Sequence, residues 1–211
     1  MTSQISSKTS TSTSITLKGS AEMVREFFSY GVNSILYQRG IYPESNFTRV
    51  SKYGLTMLVN TTERVNAFLQ EVLQRMGVWL ERGELDKVVV VISGVESGKT
   101  LERWNFNVQM DQSFDHKTKT TKTQGKSQVE VVKGIQAVIR QITASVTCLP
   151  LLEERCTFDM LLYARNDVQI PERWELSDAK VIPNQTQIHL RSFSTNIHTV
   201  DASVAYANQV V

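Results

Sequence analysis

The sequence predicts an α+β fold, a single domain with helices packed on one face of a mostly antiparallel sheet. Three observations carry this. Apolar residues recur at three- and four-residue steps in three separate stretches. Two apolar-rich runs, at 87–93 and 101–110, flank a short glycine-containing turn. The last part of the chain is strand-like and broken by polar connections. Helices and strands interleave along the 211 residues with no repeat or linker between them.

Ser20 stands where it can cap a first helix in which Val24, Phe27, Phe28, Gly31 and Ile35 share a face, with Gly40 and Pro43 as the stop. The stretch NFTRVSKYGLTML mixes β-branched and aromatic residues without helical spacing, so short strands or irregular structure are expected there. A second helix begins near Thr61 and carries Val65, Phe68, Leu69, Val72, Leu73, Met76 and Leu80 on one stripe, which Trp79 continues; Gly83 ends it. KVVVVIS has no polar alternation, as expected of a central strand covered on both faces. LERWNFNVQM alternates, with Trp104, Phe106, Val108 and Met110 on one side and Arg103, Asn105, Asn107 and Gln109 on the other. The two pair as a hairpin. A lysine-rich stretch, DQSFDHKTKTTKTQGKSQ, reads as a surface loop. A third helix carries Val131, Ile135, Val138, Ile139, Ile142 and Val146 before Pro150. Strands follow at CTFDMLLYA, QIHLRSF and IHTVDASVAY, the first two separated by the Pro- and Trp-containing connection PERWELSDAKVIPN.

Composition narrows the function classes. The chain has 23 Lys and Arg against 21 Asp and Glu, a net charge of +2, which argues against a purely electrostatic nucleic-acid binder. With 41% hydrophobic and 21% charged residues it lies far from disordered compositions. The longest apolar run, Val88 to Ile92, is strand-sized, well short of the ~20 residues of a membrane span. Residues 1–14 are rich in Ser and Thr, lack the apolar core of a secretory signal and are expected to form a disordered tail. Cys148 and Cys156 are read as free thiols of an intracellular chain.

Chemistry-bearing motifs are few. SGVESGKT resembles a phosphate-binding loop, but Ser93 stands where the first glycine belongs, and the chain after Thr100 has period two rather than helical period. A hairpin turn is the reading, with Gly94 and Gly98 at positive φ and Lys99 solvated. His116, His189 and His198 are scattered without metal-ligand spacing, and no nucleophile signature appears. Trp104 sits either in the core or beneath a docking partner. Trp174 is either the anchor of its connection or a ligand contact.

Five successive motifs, LKGSAEMVREFFSYGVNSILYQRGIYP, FTRVSKYGL, VVVISGVESGKTLERWNF, IRQITASVTCLPLLEERCTFDMLLYA and LRSFSTNIHTVDASVAY, resemble the HORMA-domain family, and most closely its spindle-checkpoint branch. The resemblance runs from Ile15 to Tyr206 and implies a HORMA domain over residues 15–211. Three central helices lie on the sheet, and a mobile C-terminal seatbelt at 171–206 changes sheet edge between an open and a closed conformer. It implies no catalytic site, cofactor or metal. In the closed form the seatbelt wraps a partner peptide that adds a strand beside CTFDMLLYA. On this resemblance the peptide-binding edge and seatbelt comprise Phe158, Met160, Leu162, Trp104, Trp174, Phe193, Ile197, His198, Val204 and Tyr206, and Arg140 and Gln141 serve an open–closed self-dimer. Cys148 stands where the family usually has an aromatic. The implied partners are the checkpoint scaffold, mitotic arrest deficient protein one, and the co-activator of the anaphase-promoting complex, cell division cycle protein twenty, whose sequestration delays anaphase. The implied location is the nucleus, nuclear envelope and kinetochores, with a cytoplasmic pool. Two other roles compete. One is a different HORMA adaptor, a translesion-polymerase subunit or a meiotic axis protein, against which RGIYPESNFTRVSKYGL argues; the other is a nucleotide-dependent enzyme built on SGVESGKT, which the following strand disfavours.

Overall fold

The computed structural model describes residues 15–115, 126–165 and 168–208; the Ser/Thr-rich tail and most of the lysine-rich loop lie outside them. Three long helices, α1 (Leu17–Gln38), α2 (Glu63–Arg82) and α3 (Gln128–Ser145), cover one face of a five-stranded sheet. Its strands are β3 (Leu85–Gly94), β4 (Thr100–Met110), β5 (Cys156–Ala164), β6 (Gln185–Ser194) and β7 (His198–Ala207), in the spatial order β5-β3-β4-β7-β6. Each neighbouring pair is antiparallel. The stretch between the first two helices forms a separate hairpin, β1 (Phe47–Lys52) with β2 (Leu55–Asn60).

The alternation of β4 holds: Trp104, Phe106 and Val108 are buried under the helices beside Val88, Val90 and Ile92 of β3 and Val200, Ala202 and Val204 of β7. Phe27 and Phe28 of α1 meet Phe106 edge-on at centroid distances of 5.9 and 5.2 Å, the geometry that aromatic quadrupoles prefer. β3 is interior, as its continuous apolar run requires, although β4 rather than β3 holds the middle of the sheet.

Helix ends follow their chemistry with one correction. α1 is capped by Thr16, whose hydroxyl accepts from the Gly19 amide at 3.1 Å; Ser20 lies inside the helix, fully buried. α2 ends at Gly83 in the left-handed region, φ 66°. α3 opens on a capping box in which Ser127 and Glu130 exchange bonds, a start signal written in the spacing of SQVE.

The 94–100 segment is a hairpin turn, and its chemistry differs from expectation at one residue. Gly98 has φ 64°, but Gly94 belongs to β3, and a Cβ there would displace the Glu154 carboxylate that lies against it. That carboxylate accepts from the Glu96 and Ser97 amides at 3.1 and 3.0 Å. Hydrogen bonds from Ser97 and the Glu96 amide hold its pKa below the ordinary range. The turn that looks like a phosphate loop already holds an anion from its own chain.

On the buried side of β4, Glu102 pairs with Arg39, the C-cap of α1, at 2.6 Å. Trp104 Nε1 donates to the other Glu102 oxygen at 3.1 Å, and Arg39 also donates to the Pro150 carbonyl at 2.5 Å. Burial pushes the Glu102 carboxyl up and Arg39 pulls it back. A charge stranded in such a place by loss of its partner costs about 3–5 kcal/mol, so α1, β4 and the segment entering β5 are tied together here.

Candidate functional site

Among the described residues β5 is an edge strand with one free side, and its register shows which groups point there. The Val95 amide donates to the Arg155 carbonyl at 2.8 Å, so that pair is of the hydrogen-bonded type. Such pairs alternate with non-bonded ones along an antiparallel ladder. With Ile92 opposite Phe158, Val90 opposite Met160 and Val88 opposite Leu162, those three residues of β5 aim their backbone N–H and C=O groups outward. The same three direct their side chains to the helical layer, while Leu161 and Tyr163 join Val89 and Val91 on the other face. Beside this edge runs a groove of about 1170 Å³, walled by Tyr42, Arg64, Val65 and Phe68 and floored by Cys156 and Phe158. The Phe158 ring is held edge-on to Phe68 at 5.6 Å and to Tyr42 at 6.2 Å. An unpaired backbone edge next to an apolar wall has the two features that recognise an extended peptide.

The edge is free because the C-terminal hairpin β6–β7 occupies the other side of the sheet, on β4. A buried polar chain fastens it. His198 Nε2 lies 3.1 Å from the Leu80 carbonyl, which can only accept, so Nε2 carries the proton. Nδ1 must then accept from Ser20 Oγ at 2.6 Å, and Ser20 Oγ is free to accept from Thr195 Oγ1 at 2.5 Å. Thr195 Oγ1 in turn accepts from the His198 amide at 3.0 Å. One residue of β7 thus connects α1, the last turn of α2 and the hairpin turn. The carbonyl at the end of α2 favours the cationic ring, but burial outweighs it and pushes the His198 pKa down to about 4.

Two further contacts seat the hairpin. Phe193 enters between α1 and α3, 4.8 Å from the Phe27 ring, at a place where a Cβ on Gly134 would come within 3.0 Å of the Phe193 Cβ. Leu190 and Arg191 together face Ala202, a bulge in the β6–β7 ladder, and the Arg191 amide freed by it donates to Gln141 Oε1 at 2.5 Å.

The connection from β5 to β6 joins the two opposite edges of the sheet. Its 20 residues, Arg165 to Asn184, could reach about 65 Å, whereas five strands span about 19 Å, so the segment has length to encircle a further strand. Trp174 pins it to α2, meeting Trp79 at 6.0 Å and donating from Nε1 to Glu71 at 3.1 Å.

The structure therefore sorts the expected site residues into groups. Phe158, Met160 and Leu162 lie on the free edge, and Trp174 anchors the connection. Phe193, Ile197, His198 and Val204 are buried in the docking of the hairpin. Tyr206 lines a separate cleft with Leu101 and Pro150. Trp104 is not brought to the edge: it is a core residue two strands away, its indole satisfied by Glu102. Arg140 is exposed on α3, while its neighbour Gln141 is engaged by β6. The sequence reading assigns none of these roles to Ser20, Thr195, Gly134, Tyr42 and Phe68; the one signal it offers is the place of Phe68 on the apolar stripe of α2. Among the described residues, no cluster of His, Cys, Asp or Glu could hold a metal ion, and no helix is long and apolar enough to cross a membrane.

Comparison with known proteins places this arrangement. Residues 20–198 match the HORMA domain. The chain is 50% identical over 200 residues to the mitotic spindle assembly checkpoint protein MAD2A of Mus musculus, covering 93% of this chain and 94% of that one. The chain belongs to the HORMA-domain family, in its MAD2 branch. Another MAD2 relative, the mitotic spindle checkpoint component of Saccharomyces cerevisiae, is 40% identical over 205 residues, covering 92% and 98% of the two chains. A MAD2B of Danio rerio is more distant, 28% identical over 145 residues. Among solved structures, a chain of the mitotic checkpoint complex superposes with TM-score 0.80 at 44% identity, covering 90% of this chain and all of that one. Caenorhabditis elegans HTP-2 bound to a HIM-3 closure motif shares the HORMA fold at TM-score 0.73 and 13% identity.

The polar fastening generates a pH prediction. His198 binds no proton in the docked structure until about pH 4, but takes one near 6.5 once released. Its contribution is therefore complete above about pH 6.5 and declines as pH falls towards 4, by up to about 3 kcal/mol. The difference in melting temperature between wild type and His198→Gln should shrink from pH 7.5 to pH 5; a constant difference would show that the imidazole is not held neutral.

Proposed function

We propose that this MAD2-type chain is a spindle assembly checkpoint adaptor that acts by capturing a peptide rather than by catalysis. In the arrangement with β6–β7 on β4, the peptide adds a strand to the outward groups of Phe158, Met160 and Leu162 and places alternate side chains into the groove beside Tyr42 and Phe68. The connection pinned by Trp174 then closes over it as a seatbelt. The closed conformer corresponds to this arrangement, and the open conformer is one in which the hairpin has left β4. The peptides proposed are those of the scaffold, mitotic arrest deficient protein one, and of the co-activator of the anaphase-promoting complex, cell division cycle protein twenty, whose retention delays anaphase at kinetochores. The observation that carries the reading is the position of β5: an unpaired edge beside an apolar groove, joined to the opposite edge by a segment long enough to wrap a strand.

A strand held by edge pairing alone peels off, whereas an enclosed one must wait for the seatbelt to open, so the effect of the anchor belongs in dissociation. Trp174→Ala removes an aromatic contact and a hydrogen bond, together about 1.4 kcal/mol or more. Release of a labelled co-activator peptide should accelerate at least about tenfold, with association little changed. Equal release rates from the variant and wild type would remove the seatbelt from the mechanism.

Self-pairing of open with closed molecules is proposed for the α3 face around Arg140. Because Gln141 already serves β6, the two neighbours separate: Arg140→Glu should lower self-association in sedimentation and leave peptide affinity intact. An unchanged dimer would exclude this face.

A further inference from the structure

The middle of the three outward positions on β5 is not free. Asp159 is exposed, on the face opposite the helices, yet its Oδ1 accepts from the amide of its own neighbour, Met160, at 2.7 Å. By the register, that amide is one of the donors that an added strand would need. Among the described residues, Asp159 makes no ion pair that would otherwise fix it there. We infer that Asp159 is the gate of the β5 edge, a specificity-determining residue whose carboxylate occupies the Met160 N–H until the carbonyl of a well-matched strand displaces it. The inference rests on β5 being the peptide edge and adds what selects the peptide.

The physical reason is the cost of an open edge. An unpaired strand beside an apolar groove templates any extended segment, including another copy of this chain, and proteins blunt such edges with charge. Here the charge acts through a bond rather than by repulsion alone. A carboxylate acceptor makes a stronger bond than the neutral carbonyl that would replace it. A strand pairing at the centre of β5 therefore loses part of its gain, and only one that also fills the groove at Phe158 and Phe68 recovers it. A peptide with weak side-chain complementarity is refused.

The test is stopped-flow association of a fluorescent co-activator peptide, and of a scrambled peptide of equal composition, with full-length wild type, Asp159→Asn and Asp159→Ala. Asn keeps an acceptor but not its charge, so a gate predicts association rates rising in the order wild type, Asn, Ala, by about tenfold overall. It also predicts measurable binding of the scrambled peptide to Asp159→Ala only. A merely structural aspartate would lower the melting temperature without raising either rate. Rates within twofold across the three proteins, with the authentic peptide still protecting the Phe158 and Leu162 amides from exchange, would overturn the gate and leave the edge assignment standing. Binding without that protection would overturn both.

Discussion

Unpaired backbone at the edge of a sheet governs this molecule. A five-stranded antiparallel sheet has two edges, each offering a row of donors and acceptors that must find a strand, a side chain or water. The C-terminal hairpin can satisfy the open side of β4, and by doing so it leaves β5 as the edge beside the groove. In the proposed mechanism the position of the hairpin and the availability of the β5 edge are one structural variable. The long link from Arg165 to Asn184 suits that proposal, because it begins on one edge of the sheet and ends on the other.

What holds the hairpin in place is specific rather than merely apolar. Val200, Ala202 and Val204 are buried, but so would be the alternating residues of many strands. Directional features distinguish this seat: the Ser20–Thr195–His198–Leu80 chain, the close approach of Phe193 to Gly134, and the bulge amide received by Gln141. The first is the most demanding, since a buried hydroxyl or imidazole left without its partner costs on the order of 1–3 kcal/mol. Two packings that differ by a few kcal/mol are the requirement for a switch. The rest of the domain is held by the aromatic cluster around Phe27, Phe28 and Phe106, which the hairpin joins through Phe193, and by the Arg39–Glu102 pair.

Local pattern made the elements legible and long-range contact decided the site. The stripe of α2, the continuous apolar run of β3 and the alternation of β4 are visible because each reports how many faces an element buries. The Ser20 side chain suits a helix start, but Thr16 has the same chemistry, and what separates them is a histidine 178 residues away. Glycine at position 94 suggests a positive φ, whereas what lies against it is a carboxylate 60 residues later. The alternation of β4 leaves Trp104 between core and docking surface, and Glu102, on the same face of the same strand, decides it by satisfying the indole. CTFDMLLYA reads as a strand from its composition, but its being an edge is a property of topology, carried in sequence only through resemblance to the HORMA family.

Residue-resolved amide exchange on β5, without and with the co-activator peptide, tests the coupling of hairpin and edge most directly. In the peptide-free protein the inward amides of Thr157, Asp159 and Leu161 should be protected by β3 and the outward amides of Phe158 and Leu162 should exchange rapidly. Peptide should slow Phe158 and Leu162 while the amides of β7 remain protected on β4. Outward amides already protected without peptide, or left fast when peptide is saturating, would contradict the account.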